Sequence, residues 1–68
     1  MKSHFLTVRE SEIFNLLLKK NDTVEISNML NISEKTVRNH ISNVIQKLGV
    51  KGRSQAIIEL VRMGVIKI

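Results

Sequence analysis

Sixty-eight residues with 43% apolar content suit one domain with a modest core, too small to enclose a catalytic cleft. Two Phe and no Trp or Tyr leave almost no aromatic faces on which single-stranded bases could stack, and the lack of Cys excludes disulfides and thiolate metal sites. The net charge is +5, and it is lopsided: seven cations against Glu59 alone give residues 35–68 a balance of +6, while residues 1–34 total −1.

A positive half of this kind is suited to phosphates, with a basic surface kept only for solubility as the competing explanation. No apolar run approaches a membrane span or a signal-peptide core. A reducing cytoplasm is the compartment such a cysteine-free chain fits.

Leu6 precedes Thr7, and Thr7 with Glu10 has the spacing of a capping box, which predicts a first helix from Val8 to Lys19. Ile13, Leu16 and Leu17 form its inner face, with Phe14 and Leu18 four apart on a flank that also needs cover. Asp22, followed by Thr23, Val24 and Glu25, reads as a second capping box, opening a short helix whose apolar side is Ile26, Met29 and Leu30. That helix ends near Asn31. Asparagine adopts the left-handed conformation cheaply, so a sharp turn fits before Ser33 with Ile32 tucked inward.

Ser33 is a good N-cap, so a third helix begins at Glu34, and Val37, Ile41, Val44 and Leu48 recur at steps of four, three and four along one buried stripe. Gly49 ends this helix, with Val50 folding back on Ile45. Ser54 is expected to cap a fourth helix from Gln55 to Met63, stopped by Gly64. The prediction is an all-α, four-helix domain spanning residues 1–68, without strand, repeat or linker.

The functional signal lies in the run from Ser33 to Asn43. Opposite its buried stripe stand Lys35, Arg38, Asn39 and Ser42, side chains able to hydrogen-bond base edges or phosphates in a major groove. A solvated polar face is the bland alternative. The short helix and tight turn before it weigh the other way, because short helix, turn and longer helix make a helix-turn-helix. His4 near the terminus and His40 on the outer part of helix three have no carboxylate pair, cysteine or second histidine at ligand spacing. No catalytic residue, metal or cofactor is therefore expected. The rival from another class is a protein-interaction module, similar to a promoter-binding piece of a sigma factor, that acts by docking on RNA polymerase.

LTVRESEI, VEISNMLNISEKTVRNHISN and QKLGVKGRSQA, covering about Leu6 to Ile66 in order and spacing, resemble the DNA-binding domain of the LuxR/NarL (FixJ) family of bacterial transcription regulators. The length and the stretch SEKTVRNHISN…QKLGVKGRSQA most resemble small sporulation regulators within that family. The resemblance implies that helices two and three form the helix-turn-helix and that helix four joins two subunits as a homodimer. By position it makes Arg38, Asn39 and Ser42 base-facing, with Lys35 one turn earlier on the same surface. It puts Thr36, His40, Asn43 and Lys47 near the sugar-phosphate backbone. Its implied partners are double-stranded DNA, a second copy of the chain and RNA polymerase, with no membrane and no small-molecule ligand. Its implied setting is the bacterial cytoplasm, on the nucleoid when bound, with late sporulation genes, including coat genes, as targets.

Two departures bear on the loops and packing. Lys20 stands about where many relatives have glycine, so the loop from Lys19 to Asp22 is expected to turn differently, through Asn21; Ser27 replaces a common alanine and should still permit close packing. Most family members carry an N-terminal receiver or sensing domain, and Met1 stands only five residues before Leu6. Regulation then lies in abundance or in other proteins if the chain is native, and in a removed sensor if it is an excised piece. On helix four, Ala56, Ile57, Leu60 and Val61 can face the core, while Ile58 and Met63 remain and Val65, Ile66 and Ile68 follow. This surplus marks Ile58 and Met63 as the dimer contact, unless part of it covers Phe5, Phe14 and Leu18 within the monomer.

Overall fold

Four helices follow one another without a strand among residues 5–67, which the computed structural model describes: α1 (Val8–Leu18), α2 (Thr23–Leu30), α3 (Glu34–Leu48) and α4 (Arg53–Arg62). His4 and Ile68 lie outside the described residues. The predicted all-α architecture is therefore present, with α3 touching each of the other three helices.

Local chemistry sets most boundaries. The Thr7 hydroxyl accepts from the Glu10 N–H while the Glu10 carboxylate accepts from the Thr7 N–H, and Asp22 with Glu25 repeats the arrangement at the start of α2. Two otherwise unsatisfied amides are closed at each helix start. Asn31 takes the left-handed conformation at φ 58°, and the Ile32 N–H donates back to the Ser27 carbonyl at 3.0 Å. Gly49 is likewise left-handed, with the Val50 N–H returning to Ile45 at 3.3 Å.

The fourth helix starts earlier than its sequence suggests. Gly52, not Ser54, is the N-cap, and it contributes no side-chain bond. The Gly52 carbonyl accepts from the Ala56 N–H, and the Gln55 side chain reaches back to accept from the Lys51 N–H at 2.9 Å, so the turn closes ahead of Ser54. At the other end Arg62 is the last helical residue, Met63 is the C-cap and Gly64 follows at φ 75°.

The loop turns through Lys20 rather than Asn21, with Lys20 in the left-handed conformation at φ 73°. The Lys20 N–H donates to Leu17 and the Asn21 N–H to Leu16, so the end of α1, one residue short of Lys19, closes in the same pattern a glycine would allow. Asn21 adds a side-chain bond to the Leu16 carbonyl at 3.0 Å. A Cβ in this region costs energy, and glycine removes that cost. Lys20→Gly should raise stability by about 0.5–1 kcal/mol, read as a higher urea midpoint; an unchanged or lower midpoint would show that the lysine is accommodated without strain.

The core gathers Ile13, Phe14 and Leu17 of α1, Ile26 of α2, Val37, Ile41 and Val44 of α3, Ala56 and Leu60 of α4, and Ile66 of the closing segment. Three sequence assignments change, those of Phe14, Leu16 and Met29. Phe14 is fully buried at the centre rather than on a flank, with Leu16 and Leu18 only partly covered, and Met29 stands out in solvent with Val24. An eight-residue helix against two neighbours buries one narrow strip, and Ile26 with Leu30 fills it. Ser27 is buried as well, its hydroxyl donating to the Val24 carbonyl at 2.7 Å, so the close approach expected for an alanine is kept.

Candidate nucleic-acid interface

The reading helix begins where the Ser33 hydroxyl accepts from the Thr36 N–H at 3.0 Å. Val37, Ile41 and Val44 are buried, and Leu48 and Ile45 are partly covered. Burying such side chains stabilises by about 1.5–3 kcal/mol each, which fixes the rotation of the helix about its axis. That rotation turns Lys35, Arg38, Asn39, Ser42 and Asn43 outward, all of them exposed. The predicted base-facing row thus lies together on one solvent-facing surface. At fifteen residues α3 is about 22 Å long and, with side chains, about as wide as a major groove accepts.

Thr36 and His40 are partly covered. The Thr36 hydroxyl accepts from the Ser33 hydroxyl at 2.9 Å, so it rims the exposed row at the start of the helix. His40 lies close enough to Glu10 that a proton on its ring would favour the Glu10 carboxylate.

Lys47 is committed inside the chain. Its Nζ lies 2.7 Å from Glu10 Oε1, 3.0 Å from the Phe5 carbonyl oxygen and 5.6 Å from the Phe5 ring centre. Glu10 is 4% exposed, and burial alone would raise its pKa. The hydrogen bonds from Lys47 and the Thr7 N–H, together with the Lys47 and His40 charges, outweigh that and hold it below the ordinary glutamate value. This pair ties α1 to the last turn of α3.

A second carboxylate works at the other end of α3. Glu34 Oε2 accepts from the Thr23 hydroxyl at 2.9 Å and also pairs with Arg38 Nη1, four residues along the helix. Neither Glu10 nor Glu34 was among the site residues expected from sequence. The Glu34 and Arg38 spacing is readable from the chain, but the Thr23 contact spans eleven residues and a turn, and the Glu10–Lys47 pair spans thirty-seven.

On α4, Ile58 is 60% and Met63 50% exposed, whereas Ile66 is buried in the core and Val65, Ile57 and Val61 are partly covered. Part of the apolar surplus therefore serves the monomer, and among its described residues Ile58 and Met63 are the ones that face solvent. Among the described residues no helix is long and apolar enough to cross a membrane, and no cluster of three His, Cys, Asp or Glu could hold a metal ion.

The model of the bacterial regulatory proteins of the luxR family matches residues 4–60. The spore germination protein GerE of Bacillus subtilis is 64% identical over 63 residues, covering 93% of this chain and 85% of that protein. The transcriptional regulatory protein DegU of Brevibacillus brevis is 43% identical over 65 residues, but the match takes in 96% of this chain and only 28% of that longer one. A solved structure of the transcription factor GerE superposes with a TM-score of 0.89 at 66% identity, covering 91% of this chain and 92% of that one. The chain belongs to the luxR family of bacterial regulatory proteins and is a DNA-binding transcription regulator with a GerE-type helix-turn-helix fold, not an enzyme.

Proposed function

We propose that this single domain of residues 1–68 reads a specific duplex sequence by laying α3 in the major groove, and does so as a two-fold dimer joined through α4. The observation that carries this reading is the exposed row of Lys35, Arg38, Asn39 and Ser42 on a helix whose opposite face is locked in the core. Arg38 can grip guanine through two hydrogen bonds, and Asn39 can do the same for adenine. Lys35 and Ser42 extend the reading surface, Thr36, His40 and Asn43 lie toward the sugar-phosphate backbone, and Lys47 would reach a phosphate only by sharing or leaving its bond to Glu10.

The expected targets are sporulation genes, including spore coat genes, a reading supported by the likeness to a spore germination protein. RNA polymerase is the expected protein partner, and the bacterial cytoplasm, at the nucleoid, the place of action. The long dimension of the described residues, 31 Å, allows two copies side by side to set their α3 helices one DNA turn, about 34 Å, apart.

Selection of bound sequences from random duplex DNA tests the central claim. Enrichment of an inverted repeat is expected. A module that acts only by docking on polymerase would enrich nothing. Arg38→Ala should relax preference at one base pair of each half-site and cost about 1–3 kcal/mol on the selected site, measured by titration against single-base variants. Undiminished preference would remove Arg38 from the reading set.

A further inference from the structure

Arg38 is long and 55% exposed, and a side chain of that kind ordinarily samples many rotamers. Here Nη1 is occupied by Glu34 Oε2, and the same oxygen accepts from the Thr23 hydroxyl on the preceding helix. The order is favourable, since glutamate stands four residues before arginine and sits in the first turn of α3, where the helix dipole favours negative charge. Among the described residues no other hydrogen bond engages Arg38, so the Nε–Nη2 edge, a pair of parallel donors that matches the acceptors of guanine, stays available.

We propose that Glu34, itself held by Thr23, is a positioning residue that aims the Arg38 guanidinium and so sharpens discrimination at the base pair Arg38 reads. The inference rests on Arg38 facing bases. A guanidinium held in advance loses less freedom on binding, and one that meets the wrong base leaves its aimed donors unpaired. Glu34 also adds a negative charge near the phosphates, which weakens all duplexes by a common factor and leaves ratios between them untouched.

The test is a binding series on the intact chain with duplexes varied at every position of the selected site. Arg38→Ala first identifies its position, where discrimination should fall about fivefold or more. Glu34→Ala should then lower discrimination about two- to fivefold at that position and at no other, the range expected of an exposed pair at this spacing. Glu34→Gln should keep part of the effect, Thr23→Val should fall between the parent and Glu34→Ala, and Thr23→Ser should restore the parent. In the Arg38→Ala background, Glu34→Ala should change nothing further at that position.

Undiminished discrimination in Glu34→Ala overturns the proposal, as does an equal loss of discrimination at all positions, the pattern of a merely structural residue. If Glu34→Ala fails to fold, the two Thr23 variants decide by the same criterion. If Arg38→Ala itself alters no position, the base-facing assignment of Arg38 falls and this inference falls with it. If Arg38→Ala acts and Glu34→Ala does not, only the positioning role is lost.

Discussion

Replacing Ile58 and Met63 together by glutamate is expected to give a folded monomer that no longer protects both halves of an inverted repeat. Both side chains are half or more exposed, so charge there disturbs no core contact, and stability, followed by thermal unfolding, should hold within about 0.5 kcal/mol of the parent. In a two-fold contact each substitution appears twice, and four carboxylates would meet in an apolar patch. Ile58 and Met63 are a small area on which to hold two subunits, because association itself costs about 4–15 kcal/mol before any contact is counted. The dimer should therefore be weak in free solution and assemble on the operator, where one bound copy raises the local concentration of the next. Sedimentation on operator duplex and footprinting check this. A double variant that still sediments as a paired complex and still covers both half-sites would place the interface elsewhere.

Lys47→Ala is expected to remove about 2–3 kcal/mol of stability, somewhat less than the ~3–5 kcal/mol for breaking a wholly buried pair, because Lys47 remains a third exposed. The loss falls on Glu10, left in the interior without its cation. For a domain of this length total stability is roughly 3–10 kcal/mol, so the variant should sit close to the threshold of folding. The same pair predicts an acid limb. Glu10 has a folded pKa below its unfolded value of ~4.3, so its contribution is complete above that pH and is lost as pH falls through the folded value. Urea midpoints between about pH 3 and 7 should drop in the acid range for the parent and vary less for Glu10→Gln. Equal acid limbs in the two would mean the pair contributes nothing to folding. Binding separates anchoring from phosphate contact. If Lys47 also reaches a phosphate, the alanine variant should weaken all duplexes alike and reduce the salt slope by about one, whereas an unchanged slope assigns the residue to anchoring alone.

The helix starts at Thr7, Asp22 and Ser33 were legible because each N-cap and its partner lie three residues apart. Capping is a local exchange of bonds that no distant contact needs to ratify. Ser54 failed as a cap although its residue type is favourable, since the backbone closed two residues earlier through Gly52 and the side chain of Gln55. Phe14 and Met29 were misplaced for a different reason. Periodicity shows that a helix has an apolar face, but the width of that face depends on how much of the helix its neighbours cover, and α1 buries four residues where α2 buries two. On the candidate site, the outward row of α3 could be read from its spacing. The two carboxylates at its ends could not, because their partners come from other helices and are brought near only by the finished packing.

Glu34 and Glu10 grip the two ends of α3, and the exposed row between them supports no part of the core. Recognition and folding are thus written in separate letters of the same helix. A relative with a different target could be made by exchanging Lys35, Asn39 and Ser42 singly, at little expected loss of stability, since exposed substitutions of this kind usually stay within about 0.5 kcal/mol. Arg38 is the exception. Its replacement would strand Glu34 beside Thr23 with a negative charge aimed at the groove, so positions 34 and 38 should be altered as a couple when the specificity of this scaffold is rewritten.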